Sequence, residues 1–204
     1  MHDALQPDVI VLGGGLAGLT LALQLRQRFE GIEVLVLERR EHPVPEAAHK
    51  VGESSVEIAA NYFDTVLRLK QHLMDRQLKK FGFRFFFSEG RRDIDSVLEL
   101  GASSYLSTPS YQLDRGLFEN FLGTRVRESG AVFLDGVAVR SVELGLGEDD
   151  HHVRCERDAA PLEISARWVI DASGREGILK RQLDLAMEND HDVNSAWFRI
   201  GARI

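Results

Sequence analysis

Gly13, Gly15 and Gly18 stand in the spacing G-x-G-x-x-G, directly after a short apolar run and directly before a helical pattern. Each suits one task in holding a diphosphate. Gly13 permits a tight turn, Gly15 lets the backbone reach a phosphate with no Cβ in the way, and Gly18 lets the helix pack close to the strand. The first N–H groups of that helix, and its dipole, would then face the anion. Glu38 ends the next apolar run, about 20 positions after Gly18, where a carboxylate can bind a pair of ribose hydroxyls. Strand, glycines, helix and acid in this order point to a dinucleotide. A glycine turn in an unrelated α/β protein would leave Glu38 as coincidence. The pattern alone does not choose between a flavin and a nicotinamide dinucleotide.

Other candidate chemistry is weaker. Glu148-Asp149-Asp150-His151-His152 has metal-binding residue types, but adjacent histidines on a strand point to opposite faces, so a solvated hairpin tip is expected and no metal site. No Ser-His-Asp arrangement can be assembled, and no G-x-x-x-x-G-K phosphate loop occurs. Cys155 lies in a strand pattern and reads as a small buried hydrophobe. Phe83 with Phe85-Phe86-Phe87 reads as strand core in preference to the wall of a substrate chamber.

The elements that must position these residues follow from periodicity. Val9-Ile10-Val11-Leu12 is a strand buried on both faces, and a helix runs from Leu16 to about Arg28. Residues 33–37 form a second strand, closing a βαβ unit. Residues 41–55 are loop, 56–79 two helices, 83–88 and 96–100 strands. A helix over 114–129 has Asp114 as N-cap and Gly130 as its stop. Strands follow at 132–134, 137–144, 152–156 and 162–170, then a short helix at 176–183. The strands after Phe83 are expected to form an inserted β layer, giving two interleaved lobes.

Bulk properties bound the function. The 204 residues suffice for one sizeable core, or one domain and part of a second. Charged residues at 28% beside 44% hydrophobic argue against disorder. A net charge of −7 without a basic patch argues against nucleic acid. One cysteine excludes a disulfide framework within the chain. No apolar run has membrane-spanning length, and residues 1–4 lack a signal peptide's basic and apolar regions, so a cytoplasmic location is expected. Residues 196–204 read as a strand stopped midway, so a truncated or fragmentary chain is expected.

Three further segments carry a family resemblance. Lys50-Val51-Gly52-Glu53-Ser54-Ser55 resembles the V-G-E-[SA]-[ST] loop of flavin-dependent halogenases and related monooxygenase-like oxidoreductases. Tyr111-Gln112-Leu113-Asp114-Arg115-Gly116-Leu117-Phe118 resembles their Q-[VL]-D-R-x-x-[FL] helix start. Trp168-Val169-Ile170-Asp171-Ala172-Ser173-Gly174-Arg175 resembles their D-A-[ST]-G-R segment. With the glycine turn, four motifs occur in one order across nearly the whole chain, and such proteins are usually about twice this length.

The resemblance implies FAD as cofactor and an α/β, Rossmann-like FAD/NAD(P)-binding βαβ fold with an inserted β-sheet layer, of the glutathione-reductase and aromatic-hydroxylase type. It implies a discontinuous FAD-binding domain over 1–80 and 112–184, with 81–111 and 185–204 starting a substrate-side β layer. Gly13, Gly15, Leu16, Ala17 and Gly18 would line the pyrophosphate. Glu38 would hold the adenosine ribose, Arg39 would lie near the adenine, and the Val137 backbone would meet it. Gly52, Glu53 and Ser54 would lie close to the flavin, Gln112 and Arg115 near the ribityl and phosphate region, Asp171 and Gly174 beside the pyrophosphate. Arg115 fits a helix-surface salt bridge equally well. Lys80-Phe81-Gly82-Phe83-Arg84-Phe85 fits the context of the halogenases' active-site lysine, making Lys80 the catalytic candidate. A lysine amine can accept an electrophilic halogen or hydrogen-bond to the oxidised halide.

The implied reaction uses reduced FAD, oxygen and halide, with the oxidant relayed to a small aromatic or pyrrole-like substrate and a separate flavin reductase as partner. The W-x-W-x-I-P signature of these halogenases is absent; Trp168 and Trp197 read as core or interface aromatics. Ser173 stands where the aromatic hydroxylases have aspartate. A flavin monooxygenase or reductase without halide, and a truncated FAD- or ADP-binding module, are the alternative readings.

Overall fold

The computed structural model describes residues 6–47, 50, 52–105, 107–191 and 196. The chain opens with strand β1 (Val9–Leu12), helix α1 (Leu16–Arg28) and strand β2 (Val34–Leu37). Helix α2 (Glu57–Asn61) runs through one π turn (Tyr62–Val66) before α3 (Lys70–Arg76). Short strands β3 (Leu78–Lys79), β4 (Arg84–Phe87), β5 (Leu98–Gly101) and β6 (Tyr111–Gln112) lead to helix α4 (Arg115–Glu128). Then come β7 (Val132–Leu134), β8 (Val137–Glu143), β9 (His151–Arg157), β10 (Ala160–Ala166), β11 (Trp168–Asp171) and helix α5 (Ile178–Gln182).

The strands after Phe83 divide among several sheets. β7 and β11 join the first two strands in one parallel sheet of order β11-β1-β2-β7. β8, β9 and β10 form an antiparallel meander of their own. The β4–β5 hairpin stands apart.

The continuous apolar runs of β1 and β2 follow from this layering. Successive side chains alternate faces, and both faces are covered. Val9, Val11, Val34 and Val36 pack with Leu19, Leu23, Phe118 and Leu122 under the helices. Ile10, Leu12, Leu35 and Leu37 pack with Val142, Val153, Cys155 and Ile164 under the meander. Cys155 is thus the buried small hydrophobe expected.

Helix α4 begins where expected. The Asp114 carboxylate accepts from the Leu117 N–H at 3.4 Å, and Gly130 ends the turn at φ +85°. A Cβ at Gly116 would lie 2.1 Å from the Glu46 carbonyl oxygen, so the 45–46 backbone rests directly on the helix.

Several expectations are corrected. Residues 78–79 leave the helical stretch and pair with β6. The single strand read over 162–170 breaks at Arg167, because β10 pairs antiparallel with β9 whereas β11 pairs parallel with β1. Phe85, Phe86 and Phe87 are exposed, not core. Among the described residues no third strand pairs with this two-stranded hairpin, and both of its strands are exposed. Trp168 is exposed on β11, the outermost strand of the parallel sheet among the described residues, so of the two readings core is excluded. Trp197 and most of 192–204 lie outside the described residues.

His72 locks α3 onto α4. Its ring stacks on Phe121 at 3.9 Å and on Phe118 at 5.3 Å between centroids. Burial, helped by Arg76, lowers its pKa from 6.5 to about 4 against the pull of Asp75. Between those values the unfolded chain holds a proton that the folded chain refuses. Stability contributed by neutral His72 is therefore full above pH 6.5 and is lost as the pH falls toward 4, by at most about 3 kcal/mol. His72→Phe, which keeps the stack, should reduce the drop in melting temperature between pH 7 and pH 4.5. An unchanged pH profile would remove His72 from the acid sensitivity.

Candidate functional site

A cleft of about 800 Å³ opens over the carboxyl ends of β1, β2 and β11. The glycine turn forms its floor. Gly13 has φ +114°, and a Cβ there would lie 2.5 Å from the Ala172 carbonyl oxygen. Its N–H donates to Leu37 O at 2.8 Å, so the turn is pinned to β2. A Cβ at Gly18 would lie 1.9 Å from Gly13 O. Gly18 thus works behind the turn, while Gly13, Gly15, Leu16 and Ala17 line the cleft.

Gly15 is the N-cap of α1 and offers no side-chain acceptor, and the first turn carries no acid. The N–H groups that open a helix have no intrahelical partner, and Leu16 and Ala17, which open α1, line the cleft, where an anion would meet them.

Glu38 lines the cleft beside the turn. Its carboxylate accepts from the Gly14 N–H at 2.6 Å and the Arg40 N–H at 2.9 Å, which fixes its place at the end of β2. The Val137 N–H donates to Glu38 O at 2.8 Å, bringing the buried Val137 backbone to the same wall. Arg39 is exposed at the mouth, 3.9 Å from Glu176 on the opposite loop. Gly174, at φ +64°, and Ser173 line that loop.

Asp171 does not line the cleft. Its carboxylate accepts from the Ser173 N–H at 3.0 Å, the Ser173 hydroxyl, and the Leu179 and Lys180 N–H groups at 2.8 and 3.4 Å. Burial raises its pKa, but these hydrogen bonds outweigh it and hold the carboxyl below the usual range. Its work in the structure is to close the 171–180 loop.

A second cluster gathers the remaining candidates. Ser54 bridges to Gln112, and the Leu113 N–H donates to Glu53 O at 2.6 Å. Lys80 Nζ donates to Ser54 Oγ at 2.6 Å and Ser55 O at 2.7 Å, and lies 5.0 Å from the Phe83 ring centroid. The structure therefore brings Lys80 onto the 52–55 loop, 26 residues away from Ser54 in sequence. Arg115 links the two clusters. It lines the cleft, and its Nη1 donates to Gly52 O at 3.4 Å.

Sequence reasoning missed several lining residues. Glu119, with its side chain 1% exposed, accepts from Arg115 Nε and Nη2 at 3.0 and 2.6 Å and from Lys50 Nζ. The i, i+4 spacing from Arg115 was the available signal for it. His42 also lines the cleft; its Nδ1 is buried without a partner, and burial lowers its pKa despite the nearby Glu38 and Asp135. His151 and His152 instead bond Gly145 N and Ser165 Oγ, holding the meander. No group of three or more metal-ligating side chains occurs among the described residues.

FAD fits these residues. A Cβ at Gly15 would project into open cleft, 4.0 Å from Glu119 Oε1, so the turn leaves space where a diphosphate would lie. Arg115 and Lys50 stand on the facing wall as cations.

The FAD binding domain family matches residues 6–203. A flavin-dependent halogenase of Dictyostelium discoideum is 25% identical over 95% of this chain and 36% of its own length. A 1H-pyrrole-2-carbonyl-[peptidyl-carrier protein] chlorinase of Pseudomonas fluorescens is 27% identical over 94% of this chain and 45% of its own. The chain thus spans less than half the length of these relatives. Among solved structures, the myxobacterial chondrochloren halogenase superposes with a TM-score of 0.63 at 27% identity, over 83% of this chain and 37% of that one. A flavoprotein/dehydrogenase from Cytophaga hutchinsonii superposes at 0.73 with 23% identity, over 92% of this chain and 44% of that one, and shares the fold. A glycine turn free of side chains, an acid at the end of β2 and a family match over nearly all of the chain agree: it belongs to the FAD binding domain family, with FAD as its cofactor.

Proposed function

We propose that the chain is the cofactor-binding part of a flavin-dependent oxidoreductase of the halogenase type. The cleft would hold the adenine half of FAD along Glu38, Arg39 and Val137 and the pyrophosphate at Gly13 to Ala17. Gly52, Glu53, Ser54 and Gln112 would flank the flavin. Residues 1–80 and 112–184 would make the FAD-binding lobe, and 81–111 and 185–204 would begin the substrate side. When bound, reduced FAD would give two electrons to oxygen and the halide two more, leaving oxidised FAD, water and hypohalous acid. Lys80 Nζ would hold the oxidised halide by a hydrogen bond and pass it to a small aromatic or pyrrole-like substrate. Electrons would come through a separate reductase, in the cytoplasm. Among the described residues no helix is long and apolar enough to cross a membrane.

One observation carries this reading: Lys80 is held by Ser54 and Ser55, in the loop that Arg115 ties to the dinucleotide cleft. Loop, lysine and cleft form one connected arrangement.

The test has two stages. FAD and ADP are titrated calorimetrically into the chain while the flavin absorbance spectrum is followed. Tighter binding of FAD with a shifted spectrum is expected. Equal affinity for ADP with an unshifted spectrum would favour a module that holds the adenine half alone. Lys80→Ala should still bind FAD, yet lower halide-dependent mass labelling of an aromatic substrate by about a hundredfold or more. Labelling unchanged in that variant would remove Lys80 from the mechanism, and oxygen insertion independent of halide would favour a monooxygenase.

A further inference from the structure

The geometry assigns Glu119 as the positioning residue that holds Lys50 and Arg115 as a pair of cations over the glycine turn, for the diphosphate of the dinucleotide. The inference rests on the reading that FAD occupies this cleft.

Glu119 is out of place on helix packing grounds. It sits in α4 among buried residues, at 0% exposure, where a carboxylate is costly unless its charge is met. Both of its oxygens are met: Oε1 by the Arg115 guanidinium and Oε2 by the Lys50 ammonium. Arg115 comes from one turn earlier on the same helix, and Lys50 from 69 residues away. Two cations around one anion leave a net charge of +1. All three side chains line the cleft, and Glu119 Oε1 lies 4.0 Å from the Cβ position of Gly15.

A surface salt bridge would not need this arrangement. Long Lys and Arg side chains cost rotamer entropy to order, and a ligand ordinarily supplies that ordering when it binds. Here the buried carboxylate orders both cations beforehand. Glu119 then acts through its neighbours and has no need to touch the ligand. Its own negative charge works against an incoming diphosphate. Charge counting and positioning therefore predict opposite effects of removing it. Counting predicts tighter FAD binding, since the net charge would rise to +2. Positioning predicts weaker binding.

Glu119→Gln keeps the shape and can still accept from Arg115, but its amide turns a donor toward Lys50. The experiment is a calorimetric titration of FAD, ADP and adenosine into the chain and into Glu119→Gln, with a thermal melt of each. The expected result is FAD and ADP affinity reduced by about tenfold to a hundredfold, as for a lost charge-assisted hydrogen bond, with adenosine affinity unchanged. Tighter or unchanged FAD binding would overturn the assignment. So would an equal loss for adenosine, which marks a structural role. A second measurement serves if the variant does not fold. Lys50→Met and Arg115→Met are made singly and together. If one carboxylate holds both cations, their effects on FAD affinity are non-additive; additive effects would overturn the assignment. A wild-type chain that binds neither FAD nor ADP would overturn the cleft reading itself, and this inference with it.

Discussion

Gly18→Ala is expected to destabilise the fold by about 3 kcal/mol and to weaken FAD binding by about a hundredfold. The new Cβ would stand 1.9 Å from the Gly13 carbonyl oxygen and 3.2 Å from Val11 Cγ1. Neither neighbour can yield cheaply. Val11 is fully buried in β1. Gly13 is held by its hydrogen bond to Leu37 O, and Ala172 leaves no room on its other side. The strain must move α1 or the turn, and the turn is where the diphosphate would bind.

Gly15→Ala is the control, because the same methyl there meets nothing closer than 4.0 Å and the backbone angle of −80° suits alanine. It should melt near the wild type while still lowering FAD affinity, since the methyl enters the cleft. A thermal melt with a flavin titration separates the two cases. Wild-type melting and affinity in Gly18→Ala would show that helix and turn separate without cost.

Asp171→Ala should have the next largest effect, about 3 kcal/mol of stability together with a marked loss of FAD affinity. The substitution strands four donors at once: the Ser173 N–H and hydroxyl and the Leu179 and Lys180 N–H groups. Ser173 and Gly174 lie in this loop and line the cleft, so loosening the loop loosens one wall. The sign of the pH dependence follows from the depressed folded pKa. The carboxylate's contribution is present above its ordinary value of 3.8 and is lost as the pH falls through the lowered one. The stability gap between wild type and Asp171→Ala should therefore be widest near neutral pH and close in strong acid. Denaturant melts across that range would show it, and a gap independent of pH would mean that the loop is held by something other than the carboxylate.

Much of this protein was legible in residue order because local rules decide it. The G-x-G-x-x-G spacing, the four-residue apolar runs of β1 and β2, Glu38 at the end of β2, and the Asp114 and Gly130 ends of α4 all report on neighbours a few positions away. Backbone geometry at a glycine and the periodicity of a strand or helix need no knowledge of the rest of the chain.

What tertiary structure alone decided involves partners far apart in sequence. An apolar phenylalanine run reads as core, but burial depends on whether another layer arrives. Among the described residues none covers β4 and β5, and Phe85, Phe86 and Phe87 are exposed. A run of strand-forming residues from 162 to 170 does not reveal that its two halves pair with different partners in opposite senses. Nor does residue order reveal that the Asp171 carboxylate meets four donors supplied by the turn that follows. Lys80 meets Ser54, and Lys50 meets Glu119, only because folding brings segments far apart in sequence into contact. Residue types and spacing determined that a dinucleotide turn exists; which charges stand over it, and which of them are held in place, was decided by contacts that only the folded chain makes.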